Sequence, residues 1–249
     1  MENYTLSHSA KGYGKRYSKT YSLGYYFIQW IKIEKPVLIE ILKKNKIQEN
    51  SAILDFACGT GRIMLALKER GFKNLLGIDV SEEMLSQARL VDYSLNLVNM
   101  DITKHETRHY INTFDLITSF RFFTNADIEL RAKVLVKLTQ FLKPKGLLVV
   151  NFHQNSQSIL GQFYSLRNFL TGKKIANIFS TQDAILLFKS YGFELVEIQY
   201  YSIFPRLSYM LDKFNFFLKI LMLSSEKTYN FLRLPQKYKQ SFILVLKKS

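Results

Sequence analysis

Two aspartates at the ends of apolar runs are the residues of this chain best suited to binding a nucleotide-like ligand. Asp55 ends the run that begins at Ile53 and is followed by a small-residue turn that ends at Gly61. Asp79 ends the next apolar run, 18 residues after Gly61. An acidic residue at about this distance from a glycine turn typically accepts hydrogen bonds from ribose hydroxyls. Because the Asp55 carboxylate would repel a diphosphate, we expect the ligand to present a cation to this turn.

A parallel sheet would bring these two aspartates together at its carboxyl edge. Short apolar segments separated by helical patterns predict such a sheet in an α/β fold. Ligands of open parallel sheets bind outside the carboxyl ends of the strands, where loops and helix N-termini meet. The predicted strands are 51–56, 75–80, 95–100, 114–119, 147–152, 193–202 and 241–246, and the predicted helices between them include 62–70, 82–91, 127–141 and 181–191.

The N-terminal segment is rich in tyrosine and in basic residues. Tyr13, Tyr17 and Tyr21 recur every four residues and would share one face of a helix. Phenol rings beside basic side chains are able to close over a ligand or to stack on a base. We favour such a lid over a terminus that orders only on binding. The amphipathic pattern of residues 26–46 then predicts a helix that is broken at Pro36.

Composition bounds the kind of protein. At 249 residues and 47% hydrophobic content, the chain can bury one sizeable core with an appended cap. The lone cysteine, Cys58, excludes an internal disulfide and a cysteine-based zinc site, and no metal site is predicted. The N-terminus lacks the apolar core of a signal peptide. The apolar stretch 214–223 is far short of the roughly 20 residues that span a bilayer, so we expect a cytoplasmic protein.

The net charge of +15 lies mainly on the two flanks of the chain. Residues 1–50 carry nine Lys or Arg against four Asp or Glu, and residues 205–249 carry nine against two. Residues 51–204 carry 17 against 14. Basic flanks suit an anionic substrate, a nucleic acid or an anionic membrane surface. The alternative interpretation is a solvated, lysine-rich surface.

Several ordered motifs resemble those of the class I S-adenosylmethionine-dependent methyltransferases. The turn 55–61, which reads Asp-Phe-Ala-Cys-Gly-Thr-Gly, resembles the glycine-rich first motif of that family. Ala57 departs from the pattern, since the family often has glycine there. The resemblance covers roughly residues 51–204 and the final strand. The segments that resemble the later motifs are 77–81 with Met84 and Leu85, 100–102, 114–117, 143–148 and 192–193.

The resemblance implies the fold and the domain organisation. It predicts an α/β, Rossmann-like, doubly wound sheet of seven strands whose last strand is antiparallel. Residues 1–50 would form an N-terminal lid and helix, and residues 51–249 the methyltransferase domain. Insertions at about 155–179 and 205–235 would form a helical cap.

The resemblance also implies which residues bind the cofactor, S-adenosyl-L-methionine. The loop 57–61 would face its methionine end, with Asp55 supporting the loop and the amino group. Asp79 would hold the ribose hydroxyls, and Asp101 would meet the adenine amine. The cofactor-binding residues implied in this way are Asp55, Ala57, Gly59, Gly61, Asp79, Val80, Met84, Asp101, Ile102, Ser119 and Phe120.

Methyl transfer from a sulfonium is an in-line displacement, in which positioning and exclusion of water supply much of the acceleration. A hydroxyl acceptor also benefits from a general base. His153, after the fifth predicted strand, is the first candidate base, and His105 is the second. The alternative for each is a loop histidine without a catalytic function. Tyr17, Tyr21 and Arg121 are the candidate substrate-binding residues.

Arg121 follows the fourth predicted strand, at the edge of the sheet where a substrate should approach. Its guanidinium is able to hold a carboxylate or a phosphate in a bidentate pair. The alternative is a salt bridge to Asp127 or Glu129 at the start of the next helix.

The second insertion is predicted to contain an apolar helix over residues 206–223. If the apolar stripe from Leu207 to Leu221 is buried, it is cap core, which is the interpretation we favour. If the stripe is exposed, it forms a basic amphipathic surface for a lipid-linked substrate or a membrane.

The sequence leaves the methyl acceptor open. One hypothesis is O- or N-methylation of a small-molecule, glycan or lipid-linked acceptor, including an anionic one, in a pocket closed by the cap. A second is an RNA methyltransferase that stacks bases on the tyrosine-rich N-terminus. A third is a cofactor-binding regulatory protein. The oligomeric state is not predicted.

Overall fold

A seven-stranded sheet forms the centre of the protein. The structure, a computed structural model, describes residues 12–22, 24–172, 178–203 and 215–249. The strands are β1 (Ile53–Phe56), β2 (Leu75–Asp79), β3 (Leu97–Asn99), β4 (Phe114–Phe120), β5 (Leu142–Phe152), β6 (Phe193–Tyr201) and β7 (Ser241–Lys248). Their order across the sheet is β3-β2-β1-β4-β5-β7-β6. Neighbours from β3 to β5 pair in parallel, and β7 is antiparallel to β5 and β6, which confirms the predicted fold class.

Helices cover both faces of this sheet. Those of the described residues are α1 (Tyr13–Ser22), α2 (Gly24–Gln29), α3 (Lys35–Lys44), α4 (Arg62–Lys68), α5 (Glu82–Val91), α6 (Phe122–Asn125), α7 (Ile128–Phe141), α8 (Ile159–Thr171), α9 (Thr181–Lys189) and α10 (Asn215–Phe231). Successive strand residues point to opposite faces, so Ile53 packs with Leu38 and Leu85 on one side, and Leu54 with Val134 on the other. The two cores hold the strand ends in fixed positions.

The predicted break at Pro36 is wrong. A π-helical turn, Trp30–Glu34, joins α2 directly to α3, and Pro36 lies in the first turn of α3. The Lys35 N–H donates to the Trp30 carbonyl five residues earlier. Proline has no N–H to offer the carbonyl four residues before it, and a wider π turn accommodates that loss without ending the helix. Glu34 is consequently held inside the protein, with 1% of its surface exposed.

The fifth strand begins earlier than predicted. Residues 144–146, expected as a turn that precedes the strand, lie within β5. Lys145 has a φ of 65°, and the pairing of β4 with β5 shifts register between Phe114 and Leu116. The turn-forming residues therefore make an irregularity inside the ladder. The other strands agree with their predictions to within a few residues.

The helices α8 and α10 lie in the two predicted insertions. The predicted helix 206–223 is described from Asn215 and continues to Phe231, and residues 204–214 lie outside the described part of the chain. Met222 is fully buried, whereas Phe217 is 70% and Leu221 is 48% exposed. The favoured interpretation of the stripe as cap core is therefore wrong for these two residues, because α10 buries a different side against α2. Within the described residues, no helix is long and apolar enough to cross a membrane.

Candidate functional site

The turn after β1 brings backbone close to the carboxyl edge of the sheet. Ala57, Gly59 and Gly61 all have left-handed backbone, with φ values of 57°, 56° and 74°. The alanine adopts this conformation at a cost of roughly 1 kcal/mol, so its departure from the family pattern is tolerated. A Cβ on Gly59 would lie 3.1 Å from Met84 Cε. Glycine at this position thus keeps the ligand-facing side of the turn open.

Asp79 ties the first two strand ends together. Its Oδ2 accepts a hydrogen bond of 2.8 Å from the Gly59 N–H, and its Oδ1 accepts one of 2.8 Å from the Ser81 N–H. Ser81 in turn caps α5, where its side chain accepts from the Met84 N–H. The aspartate predicted to hold a ribose therefore also fixes the shape of the glycine turn.

Asp55 is a buried carboxylate with unused hydrogen-bonding capacity. Thr118 Oγ1 donates to its Oδ1 at 2.8 Å, while its buried Oδ2 has no hydrogen-bond partner among the described residues. Burial raises the pKa of Asp55 to about 7, opposed by the Thr118 hydrogen bond and the charge of Arg62 and assisted by Asp79. A cation beside Oδ2 would supply the missing partner.

Asp101 follows β3 and is held by its own loop. Its Oδ1 accepts from the Thr103 N–H at 3.0 Å and from Thr103 Oγ1 at 2.6 Å, and Lys104 Nζ lies 3.3 Å from its Oδ2. Burial alone would raise the pKa of Asp101, but these hydrogen bonds and the lysine charge hold it below its usual value. The side chain is therefore a fixed, ionised acceptor.

A cavity of about 600 Å³ connects these strand ends. The predicted site residues that line it are Asp55, Ala57, Gly59, Asp79, Val80, Met84, Asp101, Ile102, Phe120, Arg121, His153, Tyr17 and Tyr21. Gly61 and Ser119 are not among its lining residues; Gly61 is the N-cap of α4, and Ser119 is fully buried. Successive strand residues alternate in direction, so Phe120 reaches the cavity while Ser119 does not.

Tyrosines of α1 and α2 roof the cavity. The predicted helix across Tyr13, Tyr17 and Tyr21 is present as α1. The ring centroids of Tyr17 and Tyr21 are 4.5 Å apart, and those of Tyr21 and Tyr26 are 5.1 Å apart. All three of these ring-contacting tyrosines line the cavity. Tyr26 was not predicted as a site residue. It lies in α2, whereas Tyr21 lies in α1, and the four-residue spacing within α1 gives no information on contacts between the two helices.

Arg121 pairs with Glu34, not with the predicted alternatives Asp127 or Glu129. Its Nη2 lies 3.6 Å from Glu34 Oε1, and its guanidinium carbon lies 5.0 Å from the centroid of Tyr21. Asp127 instead caps α7, and Glu129 pairs with Lys133. Sequence reasoning missed Glu34, although its position on the apolar stripe of its helix, four residues before buried Leu38, was a signal.

Glu34 is the centre of a buried polar network. It accepts hydrogen bonds from Tyr201 Oη at 2.8 Å, Asn151 Nδ2 at 3.1 Å and Arg62 Nη1 at 3.3 Å. Burial alone would raise the pKa of Glu34, but the charges of Arg121 and Arg62 and these hydrogen bonds hold it below its usual value. The carboxylate is therefore ionised and links the roof helices to β5 and β6.

The two candidate histidines lie in different surroundings. His153, directly after β5, is buried and lines the cavity. His105 is exposed, is not among the cavity-lining residues, and has its Nδ1 2.8 Å from the Asp101 carbonyl oxygen. Among the described residues, no group of three or more His, Cys, Asp or Glu is placed to hold a metal ion.

Comparison with known sequences gives matches to methyltransferases. A family model described as a methyltransferase domain matches residues 53–146. The putative methyltransferase YqeM of Bacillus subtilis is 33% identical over 115 residues, which are 44% of this chain and 45% of that protein. N-demethylindolmycin N-methyltransferase of Streptomyces griseus is 22% identical over 181 residues, which are 68% of this chain and 75% of that protein. The chain thus spans about half the length of the first of these relatives.

Solved structures share the fold over nearly the whole chain. Magnesium protoporphyrin IX methyltransferase from Synechocystis PCC 6803, with bound SAH, aligns with a TM-score of 0.65 and 14% identity over 99% of each chain. A SAM-dependent methyltransferase from Methanosarcina mazei aligns with a TM-score of 0.61 and 19% identity, over 83% of this chain and 96% of that one. Residues 53–146 therefore match a methyltransferase domain, and the chain shares its fold with these S-adenosylmethionine-dependent methyltransferases.

Proposed function

We propose that this protein transfers a methyl group from S-adenosylmethionine to oxygen or nitrogen of a small-molecule, glycan or lipid-linked acceptor. The observation that carries the proposal is the bridge from Asp79 to the Gly59 N–H, which assembles the turn and the acidic strand end in the wall of one roofed cavity. The volume of about 600 Å³ falls in the range of about 300–1,000 Å³ that is usual for small-molecule sites.

The side chains present fit such a cofactor. The unpartnered Oδ2 of Asp55 is an acceptor for the ammonium group of the methionine moiety, and the open face at Gly59 leaves room for it. Asp79 would hold the ribose hydroxyls, and Asp101 the adenine amine. The remaining cofactor-contacting residues would be Ala57, Val80, Met84, Ile102 and Phe120, which line the same cavity.

The bound cofactor supplies a methyl group activated by a sulfonium. The tyrosine roof would exclude water from the cavity, and the strand ends would hold both reactants in line. Gly61 would act by starting α4, whose N-terminus points at the turn. Ser119, which is fully buried, would support the wall next to Phe120.

The packing of the tyrosines favours this acceptor class over RNA. Tyr17 and Tyr21 line the cavity and contact each other, so the rings form a roof over an enclosed ligand. Stacking on bases of a single strand requires exposed ring faces along a groove. Steeply salt-dependent RNA binding in the nanomolar to micromolar range would nevertheless favour the RNA hypothesis.

Calorimetric titration with S-adenosylmethionine and S-adenosylhomocysteine tests the proposal. We expect binding of each compound with a micromolar dissociation constant. Transfer of label from S-adenosylmethionine to a panel of hydroxyl and amine acceptors then identifies the acceptor class. The absence of binding heat for both compounds at several temperatures would contradict the proposal.

The affinity for S-adenosylmethionine is expected to increase as the pH rises through about 7. Burial raises the pKa of Asp55 to about 7, so the carboxylate is mostly protonated at pH 6 and mostly ionised at pH 8. Only the ionised form pairs with the cofactor ammonium, so affinity should rise about tenfold between these two pH values. Calorimetry across this range should show the rise in the wild type and a flat profile in Asp55→Asn. A flat wild-type profile would exclude Asp55 as the partner of the ammonium.

Substitution of His153 by alanine is expected to lower the turnover of a hydroxyl acceptor strongly while leaving cofactor affinity unchanged. A general base contributes typically 10²–10⁴-fold, so the rate should fall by about that factor. His105→Ala is the matched comparison, because that histidine is exposed and outside the cavity lining. Rates are measured with the best acceptor from the panel. Equal rates in wild type and His153→Ala would remove His153 as the base.

A further inference from the structure

The cavity extends beyond the part that the cofactor would occupy. The residues proposed to hold the nucleoside lie at the ends of β2 and β3, and the turn for the methionine moiety follows β1. The order of the sheet places β4 and β5 on the other side of β1, and residues after both strands also line the cavity. Adjacent strands are about 4.8 Å apart. The region beside β4 and β5 is therefore the space left for an acceptor.

Arg121 is fixed in the wall of that region. Its backbone is left-handed, with a φ of 70°, and its N–H donates to Asn151 Oδ1 at 2.6 Å. The guanidinium carbon lies 5.0 Å from the ring centroid of Tyr21 and 5.5 Å from that of Tyr26. With a side chain that is only 11% exposed, Arg121 is oriented before any ligand arrives.

The guanidinium has hydrogen-bond donors that the described residues do not use. Its Nε–H is buried and has no acceptor among them. The Glu34 carboxylate is an ion-pair partner at 3.6 Å, which is longer than a hydrogen bond. Glu34 instead accepts hydrogen bonds from Arg62, Asn151 and Tyr201. Buried donors normally find acceptors, so the Nε–H of Arg121 is suited to an acceptor that a bound molecule supplies.

Arg121 shares its buried carboxylate partner with a second arginine. Arg62 and Arg121 both face Glu34, and Arg62 also interacts with the buried Asp55. Tyr21 and Tyr201 are neutral at physiological pH, since burial raises the pKa of both hydroxyls well above the usual value. In a site that excludes water, a guanidinium whose counter-charge is shared in this way attracts an anion more strongly than it does in bulk solvent.

We propose that Arg121 binds a carboxylate or phosphate group of the methyl acceptor, so that the acceptor is an anionic small molecule. This inference rests on the proposed function. A planar fork with several free N–H groups matches either anion in a bidentate pair. The methionine moiety of the cofactor also carries a carboxylate, which is the alternative anionic partner for Arg121. Arg62 directly follows the glycine turn in the sequence. It therefore lies closer than Arg121 to the turn that is proposed to face the methionine moiety of the cofactor.

The test uses full-length protein saturated with S-adenosylhomocysteine, so that the cofactor carboxylate is already bound. Benzoate, phenyl phosphate and inorganic phosphate are titrated at constant ionic strength by calorimetry and by thermal shift. We expect saturable binding of at least one anion by the wild type. Arg121→Gln should weaken it about tenfold or more, and Arg121→Lys, which keeps the charge but loses the fork, should weaken it less.

Arg108→Gln is the matched control. Arg108 also has a 3.6 Å ion pair, with Glu106, but its side chain is 87% exposed. The Arg108→Gln variant should bind anions with the same affinity as the wild type. Equal anion affinity in wild type and both Arg121 variants would overturn the proposal, as would saturable binding by none of the anions.

Cofactor binding separates the remaining outcomes. One outcome is that Arg121→Gln loses affinity for S-adenosylhomocysteine and that the wild type binds anions only in the absence of that compound. In that case Arg121 binds the cofactor carboxylate, and the proposal is wrong. If the wild type does not bind S-adenosylhomocysteine, the proposed function itself fails. Circular dichroism and retained cofactor binding by Arg121→Lys show that a loss of anion binding does not come from misfolding.

Discussion

Replacing Asp79 by asparagine is expected to weaken S-adenosylhomocysteine binding about 100-fold, and replacing it by alanine to abolish measurable binding. The two oxygens of Asp79 accept from the Gly59 and Ser81 N–H groups at 2.8 Å each. An asparagine would turn an NH₂ group toward one of these donors. Hydrogen bonds to a charged group contribute about 1.5–3 kcal/mol each, so losing one and weakening the other by removing the charge corresponds to about a 100-fold change.

Asp115→Asn is the control for Asp79→Asn. Asp115 also accepts from a backbone N–H, that of Ala52 at 2.8 Å, and its Oδ1 lies 2.7 Å from Lys143 Nζ. It lies at the opposite end of β4 from the cavity. Calorimetry should give wild-type affinity for this variant once circular dichroism shows that both variants are folded. Wild-type affinity in folded Asp79→Asn would contradict the assigned function of Asp79.

Replacing Glu34 by glutamine is expected to lower the free energy of unfolding by about 3–5 kcal/mol, because it leaves two arginines without their buried counter-charge. Glu34 is 1% exposed and contacts both Arg62 and Arg121. For a protein of this size the midpoint of thermal unfolding should fall by on the order of 10 °C. Urea and thermal unfolding measure the change. A wild-type midpoint would show that the network does not stabilise the fold.

Glu129→Gln is the matched control, since its side chain is 78% exposed and pairs with Lys133 at 2.7 Å. Surface pairs of this kind contribute about 0–1 kcal/mol, so the midpoint of that variant should stay near the wild-type value. The comparison separates the effect of burial from the loss of one negative charge.

The stability that Glu34 provides also depends on pH. Because its folded-state pKa is lowered, the contribution is present above the pKa of the unfolded chain, about 4.3, and is lost as the pH falls through the folded-state pKa. The difference in stability between wild type and Glu34→Gln should therefore be largest at neutral pH and should narrow below about pH 4.

Local patterns were sufficient to predict the sheet and its cofactor edge. Alternating burial and short apolar runs gave the strands, and the spacing from Gly61 to Asp79 brought the two aspartates to one edge. These features depend on interactions between residues that are close in sequence or that follow the regular order of a parallel sheet. The seven-stranded sheet with an antiparallel β7 was instead implied by the resemblance to the methyltransferase family, and the strand pairing confirms it.

Contacts between distant segments were not predictable in this way. Glu34 and Asn151 are 117 residues apart, and no local pattern pairs them. The salt-bridge partners predicted for Arg121 were the acids nearest in sequence, Asp127 and Glu129. Both predicted partners were wrong, because Arg121 pairs with Glu34. The break at Pro36 was wrong for another reason, because propensity alone could not show that a π turn would carry the helix past the proline.

The contact between helices α1 and α5 leaves almost no room for a larger side chain at Gly14. A Cβ on Gly14 of α1 would lie 2.3 Å from the carbonyl oxygen of Glu83 in α5, so the two backbones touch directly at this point. The helix α5 begins just after Asp79 and Ser81, and Tyr17 and Tyr21 of α1 lie over the cavity. A single methyl group at Gly14 would therefore push α1 away from α5. This shift would displace Tyr17 and Tyr21 without changing any group that is proposed to contact the ligands.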